Sequence, residues 1–220
     1  MTPAITSEEF RRRQTVLPNC ILLEITTHCD QRCPNCCTGI GINRVLQHHP
    51  WEYFVQAAKF LYGLDRLHLT GGEPTFHPDF AEFVPRFKKL FGARRLTLGT
   101  DGYGVERYRD IIAAHIDEVH FSDYHIRPAV LPLLTQIVPS ISTYDGGALA
   151  VNHVSRDRRG SGKPCGRAHW DCVQYADGKL YGCSVASGIT GSQGIVPTVN
   201  WRQEIRQAAL PCVDCFVSPD

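Results

Sequence analysis

The stretch ILLEITTHCDQRCPNC, residues 21–36, joins two signals. Its first six residues are an apolar, β-branched run that reads as a strand. Three cysteines, Cys29, Cys33 and Cys36, then fall within eight positions, and Cys37 follows at once. A disulfide framework, a zinc site, an iron–sulfur cluster and an accident of composition all fit such crowding.

The remaining cysteines narrow the choice. The chain carries ten. Cys20, Cys29, Cys33, Cys36 and Cys37 lie near the start, and Cys165, Cys172, Cys183, Cys212 and Cys215 near the end, with none between. The opening MTPAITSEEFRRRQ has a basic patch but no apolar stretch behind it, so it is not a signal peptide. Without export, a reducing cytoplasm disfavours disulfides. Two separated groups of thiols therefore suggest two metal centres.

At 220 residues the chain has room for one domain with a small appendage. Its 43% hydrophobic and 20% charged residues suit a sizeable core. A net charge of +1 gives no global attraction to nucleic acid or an anionic membrane. No apolar run reaches the length of a membrane span.

Outward from the opening stretch, β-rich runs recur at 66–70, 95–100, 118–122, 137–142 and 149–154. Helical periodicity lies between several of them, at 51–63, 79–92, 105–116 and, interrupted by Pro132, 129–136. Pro85 implies a kink or a later start in the second of these. The alternation predicts an α/β fold with a mostly parallel sheet, whose active residues gather beyond the carboxyl ends of the strands. CDQRCPNC, GGEP, TDGYG and SDYH all fall at such ends. Beyond 155 the pattern changes. SRDRRGSGKPCGR reads as a linker, Asp177-Gly178 as a hairpin turn between two short strands, and 200–209 as a short helix. This tail is too small for its own core, so a metal staple suits it.

The spacing C-x3-C-x2-C places three soft ligands close together, and three thiolates on a [4Fe–4S] cube would leave one iron without a protein ligand. With Gly71-Gly72-Glu73-Pro74 after the second strand, it resembles the signature of the radical S-adenosylmethionine (SAM) enzymes. That resemblance implies a partial (β/α)6 barrel over 1–155. Cys29, Cys33 and Cys36 would hold a SAM-binding [4Fe–4S] cluster. Gly71, Gly72, Glu73 and Pro74 would help seat SAM, with Thr100, Ser122 and Asp123 nearby. In the family, one electron from the cluster splits SAM to a 5′-deoxyadenosyl radical. Two departures stand out: Asn35 replaces a frequent aromatic residue, and Asp101 replaces Asn in a Thr-Asn-Gly turn.

The pattern C-x12-G-x4-C, from Cys165 through Gly178 to Cys183, resembles the opening of SPASM and twitch extensions. With Cys212 and Cys215 it implies a closed auxiliary [4Fe–4S] cluster stapling a β-hairpin/loop extension over 156–220. Cys172 is the substitute for Cys165. Tetrahedral zinc is the alternative for these thiols.

The resemblance points to twitch-type dehydrogenases and to net oxidation of a small polar substrate: a sugar, cyclitol or nucleoside. It also implies a reducing partner such as flavodoxin or ferredoxin. The length leaves no room for a leader-peptide-binding domain, which favours the small molecule over a peptide to be crosslinked, epimerised or oxidised. A zinc-stabilised binding module is the rival from another class. Nucleic-acid and membrane partners are not expected, and the cytoplasm is the expected location.

Among lesser candidates, His125, His153, Tyr144 and Asp145 fall near strand ends. Arg127, Arg156, Arg158, Arg159 and Arg167 suit an anionic group. His28 reads as a packing residue, His48 and His49 as a solvated loop, His77 as loop structure and His120 as strand core.

Overall fold

The computed structural model describes residues 18–31, 33, 36, 38, 40, 45–145, 172–182 and 194–207. Seven strands form one sheet in the order β5-β4-β3-β2-β1-β6-β7. They are β1 (Cys20–Thr26), β2 (Arg66–Gly71), β3 (Arg95–Thr100), β4 (Glu118–Asp123), β5 (Ile141–Asp145), β6 (Cys172–Ala176) and β7 (Lys179–Tyr181). All neighbours pair in parallel except β6 and β7, which form an antiparallel hairpin. The helices are α1 (Trp51–Ala58), α2 (Phe80–Phe91), α3 (Arg109–His115), α4 (Val130–Ile137) and α5 (Trp201–Gln207). This is the α/β architecture with a mostly parallel sheet that the alternation predicts.

Strand periodicity sorts the sheet into two chemically different faces. Ile21, Leu23 and Ile25 of β1, Leu67 and Leu69 of β2, Leu96 and Leu98 of β3, and Val119 and Phe121 of β4 are buried in one core. The helices complete that core with Phe54, Phe80, Phe83, Phe87, Phe91, Ile112, Leu134 and Trp201. Each such side chain contributes about 1.5–3 kcal/mol by leaving water. The alternate strand positions, including Thr70, His68, Thr97, Gly99, His120 and Ser122, are polar or small. Among the described residues they form a second, more polar face, which also carries half-buried Leu22.

Helix α2 spans Phe80–Phe91 with Pro85 inside it, so it does not start after the proline. Pro85 is exposed, so the Ala81 carbonyl it leaves unpaired faces the solvent side. Gly92 closes the helix at φ 56°, and Ala93 N donates to Lys88 O. The fifth strand begins later than its apolar run implies. Ile137 ends α4, and Val138 N donates back to Leu134 O, so the strand waits until after Pro139. The Asp177-Gly178 hairpin turn is present, with φ of 49° and 75°. The sixth expected strand, 149–154, lies outside the described residues.

Cys20, at the amino end of β1, is disulfide-bonded, against the expectation of reduced thiols. Its register partner is Cys172. This register sets Cys172 at the opposite end of the parallel strands from Cys29. Among the described residues, no helix is long and apolar enough to cross a membrane.

Candidate active site

The carboxyl end of β1 is fastened on two sides before the cysteines begin. On one side residues 45–48 return antiparallel to it: Thr27 N donates to Gln47 O at 2.9 Å, and Gln47 N donates to Thr27 Oγ1 at 2.8 Å. His48 pairs with Thr26 there, its Nδ1 lying 2.9 Å from Thr26 Oγ1. On the other side sits the GGEP turn. Gly72 N donates to Thr26 O at 2.9 Å, and Glu73 N donates to His28 O at 2.8 Å.

This closeness explains the two glycines. A Cβ on Gly71 would stand 2.0 Å from Thr26 O. One on Gly72 would stand 2.2 Å from His28 O and 2.9 Å from Cys29 Cβ. Any side chain at either position would push the GGEP backbone away from the cysteine loop. The close approach these glycines allow is thus, first, to the chain's own Cys29 segment.

Cys29, Cys33 and Cys36 are free and half-buried beyond β1. Gln31 N donates to Cys29 Sγ at 3.4 Å, and Cys36 N donates to Cys33 O at 3.1 Å. Burial pushes the Cys29 thiol up to about 12; Gln31 N–H opposes this, and the nearby Asp101, Glu73 and Asp30 carboxylates add to it. Burial also raises the Cys33 thiol, against a hydrogen bond from Tyr124. Bare thiolates are disfavoured in this setting, and a bound cationic centre would reverse that.

Glu73 is the hub beneath the loop. It is buried and accepts from Thr75 N at 3.1 Å, Thr75 Oγ1 at 2.6 Å, Thr100 Oγ1 at 2.9 Å and Asp101 N at 2.8 Å. Burial raises its carboxyl, and these donors pull the other way. Pro74 opens a short 3-10 turn, Pro74–Phe76. The Thr100 hydroxyl also accepts from Gly102 N at 2.9 Å, so it ties GGEP to the turn after β3. Ser122 and Asp123 end β4 in register with Tyr144 and Asp145. Asp123 Oδ1 accepts from His125 N at 2.8 Å, and His125 itself is exposed with φ 59°.

Several histidines depart from their sequence reading. His49 is buried rather than solvated: it stacks on Tyr53 at 4.1 Å, and its Nε2 lies 3.6 Å from buried Glu24. Its place follows from the antiparallel return of 45–48 beside β1. His120 is not strand core. It lies on the polar face, with a side chain 39% exposed, 4.8 Å from the His68 ring and 3.2 Å from Glu118 Oε1. His68 Nδ1 bonds Thr97 Oγ1 at 2.7 Å, and Ser142 Oγ donates to Glu118 at 3.0 Å. Gly99 leaves room for this row, since a Cβ there would meet His68 Nε2 at 2.8 Å. Burial holds His68 down to about 3, with His120 and Arg66 adding to it. His28 stacks on Phe76, a packing role as expected, whereas His77, read as loop structure, is buried with its Nε2 2.9 Å from His49 O.

Sequence reading gave Asp30 no role, noted Asp101 only as a departure from a Thr-Asn-Gly turn, and left Arg127 as one basic residue among several. Arg127 bridges the two carboxylates, donating to Asp101 Oδ1 at 3.1 Å and to Asp30 Oδ2. The one available signal was Asp101 in the Thr-Asp-Gly turn. Cys165, Cys183, Cys212 and Cys215, with His153, Arg156, Arg158, Arg159 and Arg167, lie outside the described residues.

Comparison with known proteins follows this geometry. The family model of the Radical SAM superfamily matches residues 23–134, just over half of the chain. A GTP 3',8-cyclase from Geobacter sulfurreducens is 26% identical over 137 residues, 60% of this chain and 42% of that protein. A PqqA peptide cyclase from Streptomyces rochei is 29% identical over 115 residues, 51% of this chain and 31% of that one. The chain thus spans less than half the length of these relatives. Among solved structures, BtrN in complex with AdoMet and 2-DOIA superposes with a TM-score of 0.63 at 14% identity, covering 91% of this chain and 89% of that one. Its likeness is one of fold. The motif-bearing half of this sequence, from β1 through α4, is what the family model matches, and the chain belongs to the Radical SAM superfamily.

Proposed function

We propose that this protein is a SAM-cleaving enzyme that abstracts hydrogen from a small polar substrate, with net oxidation as the outcome. The observation that carries this reading is the joint between the cysteine loop and GGEP. Three free thiols lie beyond β1, and two glycines without room for a side chain hold the GGEP backbone against them. Three thiolates at this spacing fit a [4Fe–4S] cluster with one open iron. When bound, that cluster supplies the electron that splits SAM to a 5′-deoxyadenosyl radical.

In this reading Cys29, Cys33 and Cys36 hold the cluster. Gly71, Gly72, Glu73 and Pro74 shape the SAM seat, with Thr100 fixing Glu73 from below. Ser122 and Asp123, at the end of β4, complete it. The polar row of His68, His120, Glu118 and Ser142 suits a substrate rich in hydroxyl groups, such as a sugar, cyclitol or nucleoside. Burial lowers the proton affinity of its partly exposed His120, against the pull of Glu118.

Cys165, Cys183, Cys212 and Cys215 are proposed to hold an auxiliary [4Fe–4S] cluster that accepts the electron released on oxidation. Residues 156–220 would then form a twitch-like extension to a core of 1–155. The positive φ of Gly178, the glycine of the C-x12-G-x4-C pattern, supports it. A flavodoxin- or ferredoxin-like donor would supply reducing electrons. A second reading, modification of a peptide, draws on the similarity to a PqqA peptide cyclase. The test is anaerobic incubation with SAM and dithionite. 5′-Deoxyadenosine should form with wild type and not with Cys29→Ala. Its absence from both would overturn the reading.

A further inference from the structure

The sheet places β2 and its GGEP turn on one side of β1 and β6 on the other. A group of titratable side chains on the β6 side has no part in the reading above. Glu24 comes from β1, His49 from the segment that enters α1, and Asp177 from the turn between β6 and β7. A carboxylate oxygen of Glu24, a ring nitrogen of His49 and a carboxylate oxygen of Asp177 lie within 4.8 Å of one another. The Glu24 side chain is fully buried, and that of His49 is only 6% exposed. His49 Nε2 is buried and has no hydrogen-bond partner among the described residues. It stands 3.6 Å from Glu24 Oε1, beyond hydrogen-bonding distance.

The three side chains are held from separate directions. His49 N donates to Ile25 O at 3.2 Å, and the His49 ring stacks on Tyr53 at 4.1 Å. Tyr53 Oη in turn accepts from Gly178 N at 3.2 Å, which fixes the turn that carries Asp177. Gln47 Nε2 donates to Asp177 Oδ1 at 3.0 Å. Outer contacts of this kind commonly orient the ligands of a metal ion. A buried ring nitrogen is ordinarily hydrogen-bonded, and two carboxylates beside it favour a cation. A proton on Nε2 has no acceptor in reach. A cation between the three groups can take a lone pair from Nε2 and from each carboxylate at once. One imidazole and two carboxylates are a ligand set for first-row divalent ions.

We propose that Glu24, His49 and Asp177 bind one divalent first-row metal ion, of the Mn²⁺ or Zn²⁺ type. Asp177 is exposed, so the ion enters from the surface and keeps water on that side. It ties together β1, the segment before α1 and the β6–β7 hairpin. The strand that leads into the cysteine loop is thereby fastened to the hairpin on its other side. The site contains no cysteine and stands apart from SAM, so its failure would leave the SAM reading untouched.

The test uses the full chain, purified and reconstituted anaerobically and freed of loosely bound ions. Manganese(II) chloride is the probe, because Mn²⁺ prefers oxygen ligands to thiolates and is paramagnetic. Titration followed by the EPR signal of free Mn²⁺ should reveal one saturable site per chain. Pulsed EPR of the bound ion should show a directly coordinated imidazole nitrogen. Bound Mn²⁺ should also raise the melting temperature, as any ligand of the folded state does. His49→Gln should abolish both the nitrogen coupling and the thermal shift. Asp177→Asn, at an exposed position whose side-chain oxygen can still accept from Gln47, tests the site without disturbing buried groups. It should weaken Mn²⁺ binding by about tenfold or more, at least what loss of an outer contact costs. No saturable site in wild type would overturn the proposal and leave His49 and Glu24 as a buried pair. A bound ion without nitrogen coupling, a coupling that survives His49→Gln, or unchanged affinity in Asp177→Asn would overturn it as well.

Discussion

Two regions of the sheet are built in opposite ways. At the carboxyl ends of β1 and β2, main chain holds main chain: Gly72 N and Glu73 N bond the loop carbonyls, and glycine allows no alternative. On the polar face lower in the sheet, side chains do the work. His68, His120, Glu118 and Ser142 touch one another across β2, β4 and β5, with Gly99 of β3 as a gap between them. The first arrangement tolerates almost no change and suits a group that every family member binds. The second can be rewritten residue by residue, which suits a substrate peculiar to this chain.

The contrast breaks most sharply at Gly72. Gly72→Ala forces a Cβ to within 2.2 Å of His28 O. The expected result is a loss of more than about 3 kcal/mol in unfolding free energy, read by denaturant titration, or failure to hold iron. A smaller effect is expected at Glu73. Glu73→Gln replaces one acceptor oxygen with an NH2 that faces either Thr75 N or Asp101 N, together with Thr100 Oγ1, and should cost about 1–3 kcal/mol.

His68 sharpens the comparison through pH. Its folded proton affinity is depressed to about 3, while the unfolded value is 6.5. Between these values the unfolded chain binds a proton that the folded chain does not. Its contribution is therefore present above pH 6.5 and lost as pH falls toward 3. Melting experiments over that window should show a slope of up to about 1.4 kcal/mol per pH unit from this group. His68→Gln, which can still bond Thr97, should flatten it. The smallest stability effect is expected at His120. His120→Ala should change unfolding by less than about 1 kcal/mol because the ring is partly exposed, yet raise KM once a substrate is in hand. An unchanged KM would remove His120 from the substrate face.

How much of this was legible follows the same division. Strand periodicity and turn residues sufficed for β1 through β4 and for the Asp177-Gly178 hairpin, because those signals are local. Cys29, Cys33, Cys36 and GGEP could be read as one site because each directly follows a strand of a parallel sheet. The bridge of Arg127 to Asp30 and Asp101 could not, since it joins residues far apart in the chain through side-chain geometry. His68, His120 and Gly99 escaped for a related reason. In a parallel sheet both faces are usually apolar, so a polar strand position shows its purpose only when its cross-strand neighbours are known. His49 was misread because its burial depends on how residues 45–48 return beside β1.

The most direct measurement is iron and acid-labile sulfide per chain after anaerobic purification and reconstitution, on wild type and on a variant with Cys29, Cys33 and Cys36 all changed to Ala. The expected result is about eight irons falling to about four, one cluster lost and an auxiliary one retained. Iron that is unchanged in the variant, or absent from wild type, would contradict the assignment of these three cysteines to a SAM-cleaving cluster.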